Sequence, residues 1–421
     1  MFKKIALTFG IRITIALINL AIVVMLSRYI GAAGKGEASL IATTIAMILL
    51  FCNMVGGSSL VYFVPRHNTF QLFLWSNAWS IIICTAGYFL LLILPLVPVK
   101  AVVPVVFLSL INSFLATNLT IILGREKINT HNLILLLQTL TSIIILWLMM
   151  KGLNRANIDS YIYALYASNA LCLIVSCILV APVIRQDQTP KENDLFVKLF
   201  KYGTYSQAGH IMKFISFRCT YYMLSDYSGD VVQGIFSNGV SLIESVFLIS
   251  NSIATVLYPK VSNSTDVKYS QILTLQLTKF SILLCIAALI PLVLLPSGFF
   301  VWLFGREFAG VHQVILLLAP GVLFYNIALV IGHYFSGIGK FRINTLANAV
   351  GLIITVLLAL VCYPHFGMIQ VGVISTISYI GTSLLVMIYF VKEAKINLHQ
   401  LLPRTADFKW IRSEVMGLLK K

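Results

Sequence analysis

The sequence predicts an all-α polytopic membrane protein, with twelve transmembrane helices in two six-helix parallel-repeat lobes around a central cavity. Three observations predict it. Apolar residues make up 59% of the 421 residues and charged ones 10%, where a soluble domain carries about 25% charged residues. Such a chain, with a mean hydropathy of +0.93, cannot cover a water-facing surface. The apolar residues fall in runs of about 18 to 25, the length that crosses a hydrocarbon core about 30 Å thick. Two short motifs also recur at matching places in the two halves.

The N-terminal stretch MFKKIALTFGIRITIALINLAIVVMLSRYIG has two lysines before an apolar run too long for the core of a signal peptide. It is read as a retained first span. The spans expected from the apolar runs are 5–29, 39–62, 72–95, 102–123, 130–150 and 160–184, then 201–224, 235–257, 277–296, 313–335, 344–362 and 369–391. The formal charge of +16 does not form one basic patch of the kind that binds nucleic acid; Lys and Arg are scattered in short loops between apolar runs. Counted by side, 21 lie with the two termini and 6 on the opposite face, which orients both termini towards the cytoplasm. The seven cysteines lie within apolar runs and form no Cys-x-x-Cys pair, so they read as packing residues rather than metal or redox groups. No cofactor is expected.

The longest connection, RQDQTPKENDLFVKLFKYG at 185–203, is polar and central. It divides the chain into an N-terminal lobe (1–190), a C-terminal lobe (191–396) and a basic cytoplasmic tail (397–421). After the first span comes GAAGKG (Gly31 to Gly36) and after the seventh GDVVQG (Gly229 to Gly234). After the fourth comes GREKINT (Gly124 to Thr130) and after the tenth GKFRINT (Gly339 to Thr345). Six helices per half make this a parallel repeat, as in several transporter folds. In the tail, Phe408, Ile411, Val415 and Leu418 recur at helical spacing with basic residues between, as in a short interfacial helix; a frayed tail is the alternative. No extramembrane segment is large enough for a catalytic domain.

Candidate functional residues are the charges inside spans. A charge near the bilayer centre costs about 2.5–3.5 kcal/mol on insertion scales, so it faces protein or a water-filled cavity. Arg12, Lys213 and Arg218 are such cations, and Gln207, His210, Lys213, Arg218 and Tyr221 share one broad helical sector. Glu244 is the one acid well inside a span. Two readings stay open. Lys213 and Glu244 form a structural ion pair, or Arg12, Lys213 and Arg218 line a cationic cavity for an anionic substrate, with the Arg fork suited to phosphate oxygens. Snorkelling is the further alternative for Arg12. Glu244 and His210 are the candidates for charge partner or coupling group. Asn238, Ser241, Ser245 and Ser252 form a polar stripe on the eighth span that suggests a wet interior, while Asn112, Asn118, Gln138 and Asn169 suit hydrogen bonds between helices. There is no Walker-type lysine loop, no metal-ligand cluster and no Ser–His–Asp grouping.

The segment LSRYIGAAGKGEASLI resembles the small arm after the first helix of the O-antigen and polysaccharide flippases. These Wzx-type proteins belong to the multidrug/oligosaccharidyl-lipid/polysaccharide exporter superfamily. Residues 229–263, GDVVQGIFSNGVSLIESVFLISNSIATVLYPKVSN, are similar to that family's eighth-helix block, and WLFGREFAGVHQVILLLAPGVLF and SGIGKFRIN to its outer loop, tenth helix and following loop. The resemblance implies movement of undecaprenyl-pyrophosphate-linked oligosaccharide from the inner to the outer leaflet of the bacterial cytoplasmic membrane by alternating access, coupled to an ion gradient. The implied partners are that lipid-linked substrate, membrane lipids, and the polysaccharide polymerase and chain-length machinery. Family members carry an Arg followed closely by Asp on the seventh helix; here Arg218 is followed by Thr220 near that position, which leaves Glu244 as the available counter-charge.

Three rivals remain. A cation or drug antiporter of the same superfamily needs an acid in the first helix, which has Arg12 instead. A peptidoglycan lipid-precursor flippase usually has extra helices. An O-antigen polymerase, an enzyme acting on the same lipid carrier, needs a large outer loop that this chain lacks.

Overall fold

The computed structural model describes residues 2–187, 189–262, 264, 266–362 and 366–396; the expected tail helix around Phe408 and Leu418 lies outside the described residues. Among them there is no strand. The first half runs through α1 (Phe2–Cys52), α2 (Gly57–Phe63), α3 (Thr69–Ile93), α4 (Val99–Gly124), α5 (Ile128–Trp147) and α6 (Ile158–Gln186). The second runs through α7 (Leu195–Glu244), α8 (Phe247–Ser262), α9 (Val267–Leu294), α10 (Ser297–Phe304), α11 (Val311–Gly337), α12 (Phe341–Cys362) and α13 (Met368–Ala394).

Ten helical runs among the described residues are long and apolar enough to cross a membrane. Two of them, Gly10–Phe63 and Leu195–Ala254, have 54 and 60 residues, where about 20 suffice for one crossing. Each therefore supplies two crossings, and the total is twelve. The break within each is one of the paired arms. Gly31 (φ 69°, ψ −174°) interrupts α1 and Gly229 (φ 84°, ψ 165°) interrupts α7. A side chain avoids this left-handed region and glycine does not. Large apolar side chains such as those of Leu94, Val99, Leu360 and Val361 lie exposed, as they should where the solvent is hydrocarbon.

The chain forms two compact units, residues 1–211 with 229–234 and 303–307, and residues 212–228 with 235–302 and 308 onward. In the first unit a core of Leu60, Val64, Leu72, Ile121 and Ile122 is closed by Leu195 and Leu199. In the second, Val330, Ile331, Tyr334 and Phe335 of α11 pack with Leu257 and Phe390.

Within the first unit the two arms engage reciprocally. A β-carbon on Gly36 would lie 2.1 Å from the Asp230 carbonyl oxygen, and one on Gly234 would lie 2.0 Å from that of Ala32. The sixth residue of each motif thus meets the second residue of the other. Ser39 adds a hydrogen bond from its hydroxyl to Gln233 Oε1 at 2.8 Å. Glu307 Oε2 accepts from the Ala32 amide at 2.6 Å, just past the Gly31 break, where a helix start favours a carboxylate.

The second motif pair recurs with a different register. Residues 124–130 and 339–345 align in sequence at Ile-Asn-Thr, but in space Gly124 corresponds to Gly337. Each is the last residue of its helix. A β-carbon on either would press on a valine, Val64 or Val261, and approach the carbonyl three residues before that valine. The next amides repeat the same bonds: Arg125 to Ile121, Glu126 to Leu123 and Lys127 to Ile122, against Ile338 to Tyr334, Gly339 to Ser336 and Lys340 to Phe335. Glu126 (φ 59°) therefore occupies the left-handed position that Gly339 (φ 76°) fills in the second unit. The recurring loop is real, and its residue-by-residue match slips by two.

The ninth span also shifts. It is expected at 277–296, yet α9 starts at Val267, where Asp266 Oδ1 accepts from the Tyr269 amide at 3.0 Å. Pro291 falls within the last turn and ends nothing upstream. Lys279 consequently lies well inside a helix and is 8% exposed.

Candidate functional site: the charged cluster of the second unit

Residues 212–228 of α7 bring two of the expected site cations into the second unit. Ser216 fixes this segment, its hydroxyl lying 2.9 Å from the hydroxyls of both Thr355 on α12 and Ser378 on α13. Two residues on, Arg218 forms a forked pair with Glu244: Nη2 to Oε2 at 2.5 Å and Nη1 to Oε1 at 3.1 Å. The side chains are 23% and 17% exposed. The Arg218 guanidinium also lies 5.0 Å from the centre of the Tyr221 ring. Tyr379 on α13 donates its hydroxyl to Glu244 Oε1 at 3.1 Å. Glu244 is the last residue of α7, and α8 resumes at Phe247 after tight turns from Ser245 to Leu242 and Val246 to Ile243.

Lys213 is held differently. Its ammonium lies 5.0 Å from the centre of the Tyr325 ring and 5.5 Å from that of Phe217, and it forms no ion pair among the described residues. The rings belong to a buried cluster in which Phe217 meets Tyr379 at 4.2 Å and Tyr325 at 5.0 Å, and Phe247 meets Tyr325 at 5.3 Å. Aromatic faces attract a cation but leave its hydrogen-bond donors open. Among the described residues the Glu244 carboxylate pairs with Arg218 and not with Lys213.

The other expected residues lie elsewhere. Arg12 is exposed on α1 of the first unit, and His210 and Gln207 also belong to that unit, the histidine exposed and the glutamine 7% exposed beside Gly57. On the polar stripe of the eighth span the Ser241, Ser245 and Ser252 hydroxyls donate to the carbonyls of Ser237, Leu242 and Leu248, and Ser241 and Ser245 are exposed. Asn118 and Gln138 do bridge helices, to Ser176 and Asn169. Thr220, near the position where the resembled family has Asp, is buried with an unpartnered hydroxyl.

Sequence reasoning missed Tyr379, Tyr325 and Lys279. The tyrosines look like ordinary core residues in their own spans. Lys279 was hidden by a helix start placed ten residues late, which the Asp266 cap could have revealed.

The first unit has its own charged groups, at helix ends. Asp187, with a side chain 4% exposed, accepts from Arg125 Nη2 at 2.7 Å, from the Thr69 amide at 2.9 Å and from the Thr189 amide at 3.0 Å. Burial pushes its carboxyl up, but hydrogen bonds from Thr189 and Thr69 outweigh that and hold it well below the usual carboxylate range. A cavity of about 120 Å³ in the same unit is lined by Glu37, Asp159, Lys100, Tyr163 and Tyr166. With two carboxylates to one lysine it has the wrong charge balance for an anionic group. Among the described residues no group of His, Cys, Asp and Glu could hold a metal ion.

Comparison with known proteins places this architecture. The family model described as polysaccharide biosynthesis protein matches residues 1–265. No curated protein matches in sequence. Among solved structures, the lipid II flippase MurJ in an inward closed conformation aligns with TM-score 0.67 at 14% identity, over 98% of this chain and 96% of that one. An inward-facing multidrug-resistance MATE transporter of the MOP superfamily aligns with TM-score 0.70 at 12% identity, over 91% and 98%. A MATE transporter of Vibrio cholerae aligns with TM-score 0.68 at 10% identity, over 94% and 98%. At these identities the likeness is one of fold. The chain is a multi-pass membrane protein that belongs to the polysaccharide biosynthesis protein family and has the fold shared by MurJ and the MATE transporters.

Proposed function

We propose that this protein flips undecaprenyl-pyrophosphate-linked O-antigen or related polysaccharide repeat units from the cytoplasmic to the periplasmic leaflet of the bacterial inner membrane, with both termini cytoplasmic. The observation that carries the reading is Lys213: a cation inside a span, held by aromatic faces and without a carboxylate among the described residues. Holding such a charge in an apolar setting is costly, and an anionic substrate group would offset the cost. Family membership supports polysaccharide synthesis as the setting. The transporter fold supports movement of substrate by alternating access rather than bond-making chemistry, with the polymerase and chain-length machinery acting downstream. Arg12, in the first unit, is a further cation that this reading assigns to the substrate, and Glu244 and His210 are the groups that a coupling ion would address.

The test is complementation of a strain lacking its O-antigen flippase, read as polysaccharide at the cell surface. The wild-type chain restores it, and Lys213→Ala present at equal level in the membrane does not. Wild-type surface polysaccharide from Lys213→Ala would refute the assignment. The MurJ fold supports a second reading, flipping of a peptidoglycan lipid precursor; rescue of a strain depleted of that flippase, without rescue of O-antigen, would favour it.

A further inference from the structure

Two cations stand five residues apart on α7, and the structure treats them unequally. Arg218 has two nitrogens committed to Glu244. The commitment depends on where Glu244 is held, and Tyr379 holds it. The Tyr379 side chain is 2% exposed, and its ring is wedged 4.2 Å from Phe217 and 5.5 Å from Tyr325. Its hydroxyl, 3.1 Å from Glu244 Oε1, therefore has little freedom to swing away. Phe217 and Tyr325 are the rings that carry the Lys213 ammonium. One aromatic cluster thus presents Lys213 and, through a single hydroxyl, keeps Glu244 on Arg218.

We infer that Tyr379 is a positioning residue that selects the cation met by an anionic headgroup: by fastening Glu244 to Arg218 it takes the arginine out of use and leaves the phosphate to Lys213. This deepens the flippase reading and rests on it. A forked Arg–carboxylate pair uses the same donor geometry that would grip a phosphate, so Arg218 offers that fork to a phosphate only when Glu244 releases it. Removing the Tyr379 hydroxyl leaves Glu244 with fewer donors and loosens the pair, which frees the guanidinium for another anion.

The expected result is that a second lesion repairs the first. The full chain is purified in detergent micelles and titrated with undecaprenyl pyrophosphate, with thermal melting followed for every variant. Lys213→Ala should bind at least about tenfold more weakly than wild type, the equivalent of one charge-assisted hydrogen bond. Adding Tyr379→Phe to Lys213→Ala should recover binding by about tenfold through Arg218, and a further Arg218→Ala should remove the gain. A purely structural tyrosine would leave the double variant no better than Lys213→Ala, and that outcome overturns the inference while leaving the flippase reading intact. Should Tyr379→Phe not fold, Lys213→Ala with Glu244→Gln frees Arg218 by the other route; recovery supports the inference and no recovery overturns it. Equal binding by wild type and Lys213→Ala would instead sink the assignment of Lys213 on which the inference stands.

Discussion

The first unit fastens Arg125 to Asp187 at helix ends, while the second places Lys213 and Arg218 within α7 and Lys279 within α9, with Glu244 closing α7. The same backbone design recurs in both, down to the amide bonds after α4 and α11. The difference teaches that the repeated part is architecture and the unrepeated part is chemistry. Charges at helix ends fasten connections. Charges inside spans cost free energy unless another group compensates them, and this asymmetry marks the second unit as the one to examine for substrate contact.

The comparison can be broken most severely in the second unit. Glu244→Ala strands Arg218 in an apolar setting and should lower stability by about 3 kcal/mol, the scale for breaking a buried pair, read as a drop in the melting temperature in detergent. The double variant Arg218→Ala/Glu244→Ala should lose less than the two single losses combined. If the losses simply add, the pair is not coupled and the contrast between units weakens.

In the first unit the largest expected loss is at the arms. Gly36→Ala puts a β-carbon against the Asp230 carbonyl and should cost about 2 kcal/mol through forced backbone movement. An unchanged melting temperature would show that the arms are not in close engagement.

At the helix ends Asp187→Asn should cost about 1–2 kcal/mol at neutral pH, since it weakens charge-assisted hydrogen bonds. The sign with pH follows from the depressed carboxyl. Its contribution is fully present above the ordinary Asp value of about 3.9 and is lost as pH falls from there through the lower folded value. Acidification below about pH 4 should thus narrow the gap between wild type and variant; a gap that holds constant from pH 7 to pH 3 would count against this account.

The smallest effect sharpens the likeness rather than the difference. Glu126 holds a left-handed backbone that its counterpart Gly339 adopts freely. Glu126→Gly should stabilise by about 1 kcal/mol and Gly339→Ala destabilise by a similar amount. Opposite signs at these two positions would confirm the register shift between the loops, and equal signs would argue against it.

Much of the fold was legible because the membrane dictates it. Apolar run length fixes crossings, and the glycines at 31 and 229 break the two longest helices where the paired motifs predicted. The loop register was misread because Ile-Asn-Thr matches as letters, whereas the spatial match is set by helix ends and amide bonds. The candidate site was half legible. Arg218, Lys213 and Glu244 stand out as charges in hydrocarbon, but which cation takes the carboxylate depends on side-chain geometry across helices. Tyr379 was invisible for the same reason: a tyrosine in an apolar run shows no sign of where its hydroxyl points.

The reciprocal arms also bear on how this protein can be made. Residues 229–234 and 303–307 are built into the first unit although they follow it in the chain. A polypeptide ending in the central connection would leave the ribosome without Asp230, Gln233 and Glu307, the groups that Gly36, Ser39 and Ala32 contact. Splitting the gene there would yield a leading fragment that waits, incompletely assembled, for pieces supplied by the trailing one.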